Sequence, residues 1–215
     1  MKKFAVVISG CGVYDGAEIQ ESVMAMLAID QAGAAYQLFA PDIEQATVVN
    51  HLTGEQMAEK RNVLVESARI ARGNIKQLSE YNPADYDAIL LPGGFGAALN
   101  LSTFGAKGEE MTVDPEVENA VAATYKAGKP VGAMCIAPVV VAKILRKGML
   151  TIGNDKGVAA AIGSFGATHC DAAKGEVVAD MQHKLFTTPC YMLDSTIKDI
   201  YAGATNLVAA MLKVM

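Results

Sequence analysis

The chain has 215 residues, 52% of them hydrophobic and 19% charged, which excludes disorder and fits a single domain, 1–215, with a large core. Its 23 acidic residues against 18 Lys and Arg leave a net charge of -5, and no basic stripe supports nucleic-acid binding. The apolar run after Lys2-Lys3 lasts about five residues, below the roughly 7–15 of a signal segment, and none reaches membrane-span length, so a cytoplasmic location without a membrane partner is expected.

The first run, "FAVVISG", reads as a strand, and it leads into "SGCGVYDG", where Gly10 and Gly12 form a Gly-x-Gly turn. A dinucleotide fingerprint needs a third small residue three places after Gly12, and Asp15 stands there. Asp42, at the end of a second apolar run "AYQLFAPD", stands where such a fold places its ribose-binding acid, so the turn alone leaves the question open. Between the two strands, "AEIQESVMAMLAIDQAG" carries Ile19, Val23, Met26 and Leu27 at helical spacing, with Gly33 as its stop.

Further along, a helix from about Arg61 is followed by the strand "YDAILLPGG" and by "DPEVENAVAATYKAG". The last has Asp114 as cap and Pro115 at the first helical position. "KPVGAMC" reads as a strand, "APVVVAKILRKG" as a helix, "EVVAD" and "KLFTT" as late strands, and "IKDIYAGATNLVAAMLK" as the closing helix. This alternation predicts an α/β fold, doubly wound, with a mostly parallel sheet and helices on both faces. Ligands then meet loops beyond the carboxyl ends of the strands. Two segments stand outside the alternation as pocket borders or surface decoration: "EQATVVNHLTGEQM" and "FGAALNLSTFGAKGEEMTV".

The four cysteines, Cys11, Cys135, Cys170 and Cys190, form no C-x-x-C pair and read as isolated thiols. No cluster of His, Cys and acid has metal-ligand spacing, so no metal is expected. Cys135 follows an apolar strand and precedes a helix by about two residues, with Ala133 and Ala137 on either side. A sharp strand-to-helix elbow needs such small neighbours and presents its central side chain above the sheet. Helix amides behind the sulfur would lower its pKa. The competing reading is a buried, inert cysteine. In "PGGFGAALNL" the glycine pair is either a tight turn or a backbone free to aim amides at a pocket. In the second case Gly94 and Ile136 are the natural oxyanion donors. Glu18 and Glu21, three apart at the start of the first helix, are candidate acids or simple complements to the helix dipole.

Taken together, "SGCGVYDGAEIQE", "NHLTGE", "RNVLVESARIARG", "PGGFGAALNLSTF" and "GKPVGAMCIAP" resemble the ElbB glyoxalase family, also known as isoprenoid-biosynthesis or sigma cross-reacting proteins. That family lies within the ThiJ/PfpI superfamily of the flavodoxin-like, class I glutamine amidotransferase-like fold. The resemblance implies Cys135 as nucleophile, Glu21 rather than Glu18 as the facing glutamate, and Gly94 as the oxyanion glycine. "SGCGVYDG" then becomes the loop that delivers Glu21, not a dinucleotide cradle. It also implies a cofactor-independent glyoxalase acting on a small dicarbonyl aldehyde, with protein deglycation as a related activity and a homodimer as the assembly.

Departures from the superfamily pattern bear on activity. No His-x-Glu follows Cys135, which argues against glutaminase chemistry, and Ile136 replaces the histidine that peptidase-like relatives carry after the cysteine. His169 and His183 fall in no motif. Glu18, Tyr14, Cys11 and Asn154, with Asp155 and His51, are the remaining pocket candidates. The plainer readings are a packing tyrosine, an exposed histidine and an Asn-Asp turn. The alternative to turnover is a low-activity redox sensor or binding protein.

Overall fold

The computed structural model describes all of residues 1–215. Its central sheet has seven strands: β1 (Lys3–Val7), β2 (Ala35–Ala40), β3 (Ile75–Gln77), β4 (Ala88–Leu91), β5 (Val131–Met134), β8 (Val178–Asp180) and β9 (Leu185–Thr188), in the order β3-β2-β1-β4-β5-β9-β8. All pairs are parallel except β8 with β9. β6 (Met149–Leu150) and β7 (Thr168–His169) make a separate parallel pair. The doubly wound, mostly parallel sheet expected from the alternation is present.

Strand periodicity decides the layers. Phe4 and Val6 of β1 and Ala88 and Leu90 of β4 face one side, whereas Ala5, Val7, Ile89 and Leu91 face the other, and all are buried. On the first side lie α1 (Ile19–Gln31) and α8 (Ile197–Leu212), with Leu207 and Met211 of α8 in the same cluster as Leu90 and Phe186. The opposite layer holds α5 (Pro115–Lys126), α6 (Pro138–Leu145) and α7 (Lys156–Ser164), whose Val121, Val140 and Ile162 pack with Ile89 and Leu91. The shorter helices are α2 (Val63–Ile70), α3 (Phe95–Leu99) and α4 (Phe104–Lys107). At α5 the Asp114 carboxylate accepts from the amides of Glu116 and Val117, with Pro115 next, as the sequence predicts.

One expectation is corrected in α1. Ile19, Val23 and Leu27 are 37–43% exposed, while Glu21, Ser22, Ala25, Ala28 and Ile29 face inward. With the Glu21 side chain in the interior, the face of the helix that meets the sheet and α8 is carried by Ser22, Ala25, Ala28 and Ile29. Short elements also lie beyond the sequence expectation: β3, β6, β7 and the glycine-containing α7. No helix is long and apolar enough to cross a membrane.

Candidate active site

The sheet reverses winding direction beside β1: β2 and β3 extend to one side, β4 and β5 to the other. Loops leaving β1 and β4 separate there and open a crevice at the carboxyl ends. Four chain segments converge on it: the loop 8–18 after β1, Pro92–Gly94 after β4, Cys135 after β5, and the turn 189–192 after β9. The register that pairs Met134 with Thr188 brings the last two side by side.

Cys135 forms the elbow. Its φ is +59°, a left-handed conformation that costs a non-glycine residue about 1–2 kcal/mol and persists only where the surroundings hold it. Its amide donates to the Thr188 carbonyl at 3.0 Å, so the sheet fixes the backbone while the thiol projects to the cavity floor. The amides of Gly94 and Ile136 act to favour the ionised sulfur. The Glu21 carboxyl is fully buried, and its Oε2 and the Cys135 sulfur flank the same point beside Gly93. Its two oxygens are held separately: Oε2 accepts from the Gly93 amide at 2.9 Å, and Oε1 from the Tyr191 amide at 3.3 Å.

These contacts set the acid-base behaviour. Burial, helped by the nearby Glu18 charge, raises Glu21 from its ordinary 4.5 to about 7. Burial also pushes the Cys135 thiol well up, and the Glu21 charge adds to it; the two amides oppose this without overcoming it. The lowered thiol pKa expected from the elbow is thereby corrected. At rest the proton stays on sulfur, and the group that titrates near neutrality is Glu21.

Gly93 escaped sequence reasoning. A Cβ there would lie 2.4 Å from Cys135 Cβ, 2.7 Å from Glu21 Oε2 and 3.0 Å from the sulfur. Gly94, at φ +96°, is equally constrained, since its Cβ would stand 2.3 Å from the Glu18 nitrogen. Glycine at position 93 thus lets the thiol and the carboxyl approach each other, and glycine at 94 lets that turn pack against the start of α1. Tyr191 and Cys190 were also missed. Cys190 is buried with φ +46°, and its thiol is pushed up by burial and then by Glu21. Nothing in "TTPCYML" announces that this turn closes the site, because the contact spans 170 residues of sequence.

The cavity above the sulfur has a volume of about 350 Å³ and is bordered by Val13, Glu18, Phe95, Phe104, Val158 and Met192, among others. Of the two segments outside the alternation, the second borders it through α3 and α4. Glu18 lines it while capping α1, its Oε2 accepting from the Glu21 amide at 2.6 Å. Tyr14, Cys11 and Asn154 do not line it. Tyr14 is 45% exposed and its ring lies against His51, itself exposed. Cys11 sits toward Glu66 and Arg69, and burial raises its pKa. Asn154 is exposed at a turn where the Asp155 carboxylate caps α7 through the Val158 amide. His169 accepts from the Ile152 amide at 3.3 Å and His183 pairs with Asp180 at 2.8 Å, so no histidine reaches the cavity.

The glycine amides of the loop after β1 are already engaged. Gly10 donates to Ser67 Oγ, Gly12 to the Ala17 carbonyl and Gly16 to the Gly12 carbonyl, while the Glu18 carboxylate occupies the start of α1. An anion would find these donors already taken. A larger surface hollow, about 730 Å³ between residues 171–178 and α8, has neither cysteine nor histidine in its lining. No group of His, Cys, Asp and Glu side chains is arranged to hold a metal.

The model described as "DJ-1/PfpI family" matches residues 12–180. The human glutamine amidotransferase-like class 1 domain-containing protein 3, mitochondrial, is 42% identical over 221 residues, spanning 98% of this chain and 82% of that protein. The crystal structure of an isoprenoid biosynthesis protein with amidotransferase-like domain from Ehrlichia chaffeensis superposes with a TM-score of 0.92 at 35% identity, covering 99% of this chain and 100% of that one. Glyoxalase III from Candida albicans shares the fold, with a TM-score of 0.63 at 16% identity over 98% of this chain and 97% of that one. The expected cytoplasmic location is corrected here. The human relative and those from Rattus norvegicus and Danio rerio are all named mitochondrial. That expectation rested on the shortness of the apolar runs, which does not bear on whether a folded domain resides inside an organelle.

Proposed function

The chain belongs to the DJ-1/PfpI family, and we propose that within it this protein is a cofactor-independent glyoxalase of the ElbB type, converting glyoxal to glycolate and methylglyoxal to lactate. The observation that carries this reading is a fully buried carboxyl, Glu21, that titrates at about 7 and lies with the Cys135 thiol around the same point at Gly93. A general base is most effective when its pKa lies near the working pH.

In the first step Glu21 takes the thiol proton as sulfur bonds to the aldehyde carbon. The carbonyl π electrons pass to oxygen, where the Gly94 and Ile136 amides are the nearest donors. Return of the proton gives a neutral hemithioacetal. Glu21 then removes the hydrogen on the sulfur-bearing carbon and delivers a proton to the neighbouring carbon through an enediol. The product is a hydroxyacyl thioester on Cys135. Water cleaves the carbon–sulfur bond, releasing the hydroxy acid and restoring the thiol. The sequence is an internal redox exchange between adjacent carbons plus one water, so no external electron carrier enters. The same addition serves removal of glycation adducts from proteins.

Glyoxalase III of Candida albicans supports the reading at the level of fold. The redox-sensor alternative is weaker, because a peroxide sensor relies on a stable thiolate and burial here holds the proton on sulfur. The deciding experiment is glycolate formation from glyoxal by the wild type, Cys135→Ala and Glu21→Gln beside buffer and thiol-only controls. A rate above the controls that disappears in both variants supports the assignment; a wild-type rate equal to the controls ends it.

A further inference from the structure

Cys190 is a nucleophilic side chain that the aldehyde steps leave unused. It is 3% exposed and Cys135 7%, and both stand in one buried cluster, whereas Cys11 and Cys170 lie outside it. The sheet sets the two turns side by side. Met134 and Thr188 are register partners on adjacent parallel strands, the Cys135 amide donates to the Thr188 carbonyl at 3.0 Å, and only Pro189 separates Thr188 from Cys190. Neighbouring strands run about 4.8 Å apart, inside the roughly 4.4–6.8 Å between Cα atoms that a disulfide spans. Glu21 joins the same two turns: its Oε1 accepts from the Tyr191 amide, next to Cys190, while its Oε2 lies with the Cys135 sulfur beside Gly93. Both cysteines have left-handed backbone, φ +59° and +46°, so each turn is held in place by its surroundings. Burial, then the charges of Glu21 and Cys135, push the Cys190 thiol up, which agrees with this proximity.

We propose that Cys135 and Cys190 are a thiol pair that hydrogen peroxide closes to a reversible disulfide, with Cys135 oxidised first because it borders the cavity and Cys190 does not. The Cys135 sulfur attacks one peroxide oxygen and the O–O bond breaks. The thiol proton passes through Glu21 to the departing hydroxide, leaving a sulfenic acid and one water. The Cys190 sulfur then attacks the Cys135 sulfur, the S–O bond breaks, and the Cys190 proton leaves with that oxygen as a second water. The two thiols lose two electrons and the peroxide gains them; a small dithiol reverses the exchange. The first step is slower than at a sensor thiolate, because Glu21 must remove the proton. The second, between held neighbours, is fast. The pair therefore caps the nucleophile reversibly and diverts it from sulfinic acid, which is irreversible for most cysteines.

The test exposes the folded wild type, Cys190→Ala and Cys190→Ser to hydrogen peroxide, at a dose that converts the exposed Met181 to its sulfoxide. Each protein is then unfolded in excess N-ethylmaleimide, digested without reductant and mapped by mass spectrometry. In the wild type a peptide joining positions 135 and 190, short of two hydrogens and parted by dithiothreitol, should exceed Cys135 sulfinic acid at least about tenfold, since a held thiol outcompetes a second dilute peroxide. In both variants sulfinic acid at Cys135 should rise at least about tenfold at the same dose.

Sulfinic acid at Cys135 in the wild type as readily as in the variants overturns the proposal. So does a wild-type map in which both thiols survive, or in which Cys135 is joined to Cys11 or Cys170. The wild-type map refutes or supports the disulfide without either variant, so a variant that fails to fold does not shield it. Aldehyde turnover is no part of the readout, and the thiol pair stands or falls separately from the glyoxalase assignment.

Discussion

Glu21→Gln should abolish a specific component of the pH dependence of stability. Below pH 4.5 the Glu21 carboxyl is protonated in the folded and unfolded chain alike. Between 4.5 and about 7 it ionises only when unfolded, because burial raises its folded value to about 7. The folded state then binds more protons than the unfolded one, so stability falls as pH rises, by about 1.4 kcal/mol per unit, and the loss is complete above about 7. Over the whole window this amounts to about 3 kcal/mol. At 2–4 °C per kcal/mol for a chain of this size, the wild type should lose about 6–12 °C in Tm from this group alone. Cys135 does not blur the window, since its thiol stays protonated throughout it. The glutamine cannot ionise, and its NH2 would face one of the two amides that now bind the carboxylate. That adds a constant offset of roughly 1–3 kcal/mol with no slope. Thermal unfolding of both proteins from pH 4 to 8.5 isolates the effect, because every other titrating group cancels in the difference. Parallel curves would show that Glu21 titrates in the ordinary carboxylate range and would remove the neutral-pH base from the mechanism.

Glu18→Gln should move the Glu21 midpoint downward in the same titration, because the Glu18 charge is, after burial, the main cause of its elevation; an unmoved midpoint would assign the elevation to burial alone. Gly93→Ala should lower kcat/KM by about 100-fold or more, the scale of an ångström's misplacement of reacting groups. It should destabilise by roughly 1–3 kcal/mol as well, since the added methyl overpacks both Cys135 and the held carboxylate. Near wild-type activity in that variant would mean that the two groups need not be held so close. Removing the thiol in two ways tests the elbow: Cys135→Gly should be about 1 kcal/mol more stable than Cys135→Ala in urea, because glycine adopts φ +59° without penalty. Equal stability would show that the turn carries no strain in solution.

Local sequence was informative wherever one segment decided the outcome. The alternation of runs announced a doubly wound sheet because residue period and apolar content are properties of each segment. Asp114-Pro115 announced the start of α5 because a cap is satisfied by the next two amides. Cys135 between Ala133 and Ala137 announced an elbow because only small neighbours allow so sharp a turn. The choice of Glu21 over Glu18 came from the family resemblance, not from the helix pattern, and the structure supplies its physical basis: Glu21 points inward and lies beside Gly93 together with the sulfur, while Glu18 caps the helix.

Other features were decided only by the tertiary structure. Which face of α1 is buried depended on the interior position of one carboxyl, which overrode the apolar spacing of Ile19, Val23 and Leu27. The direction of the Cys135 pKa reversed because burial and a facing carboxyl outweigh two amides, and burial is invisible in a strand-turn-helix pattern. Tyr191 and Gly93 entered the site through contacts 170 and 72 residues from Glu21, made possible by the strand order that brings the ends of β1, β4, β5 and β9 together. Fold class and the elbow position of Cys135 were legible in the chain alone, since both are written in short-range pattern. The acid-base state of that cysteine and the apolar space above it arose only from residues distant in the chain excluding water together.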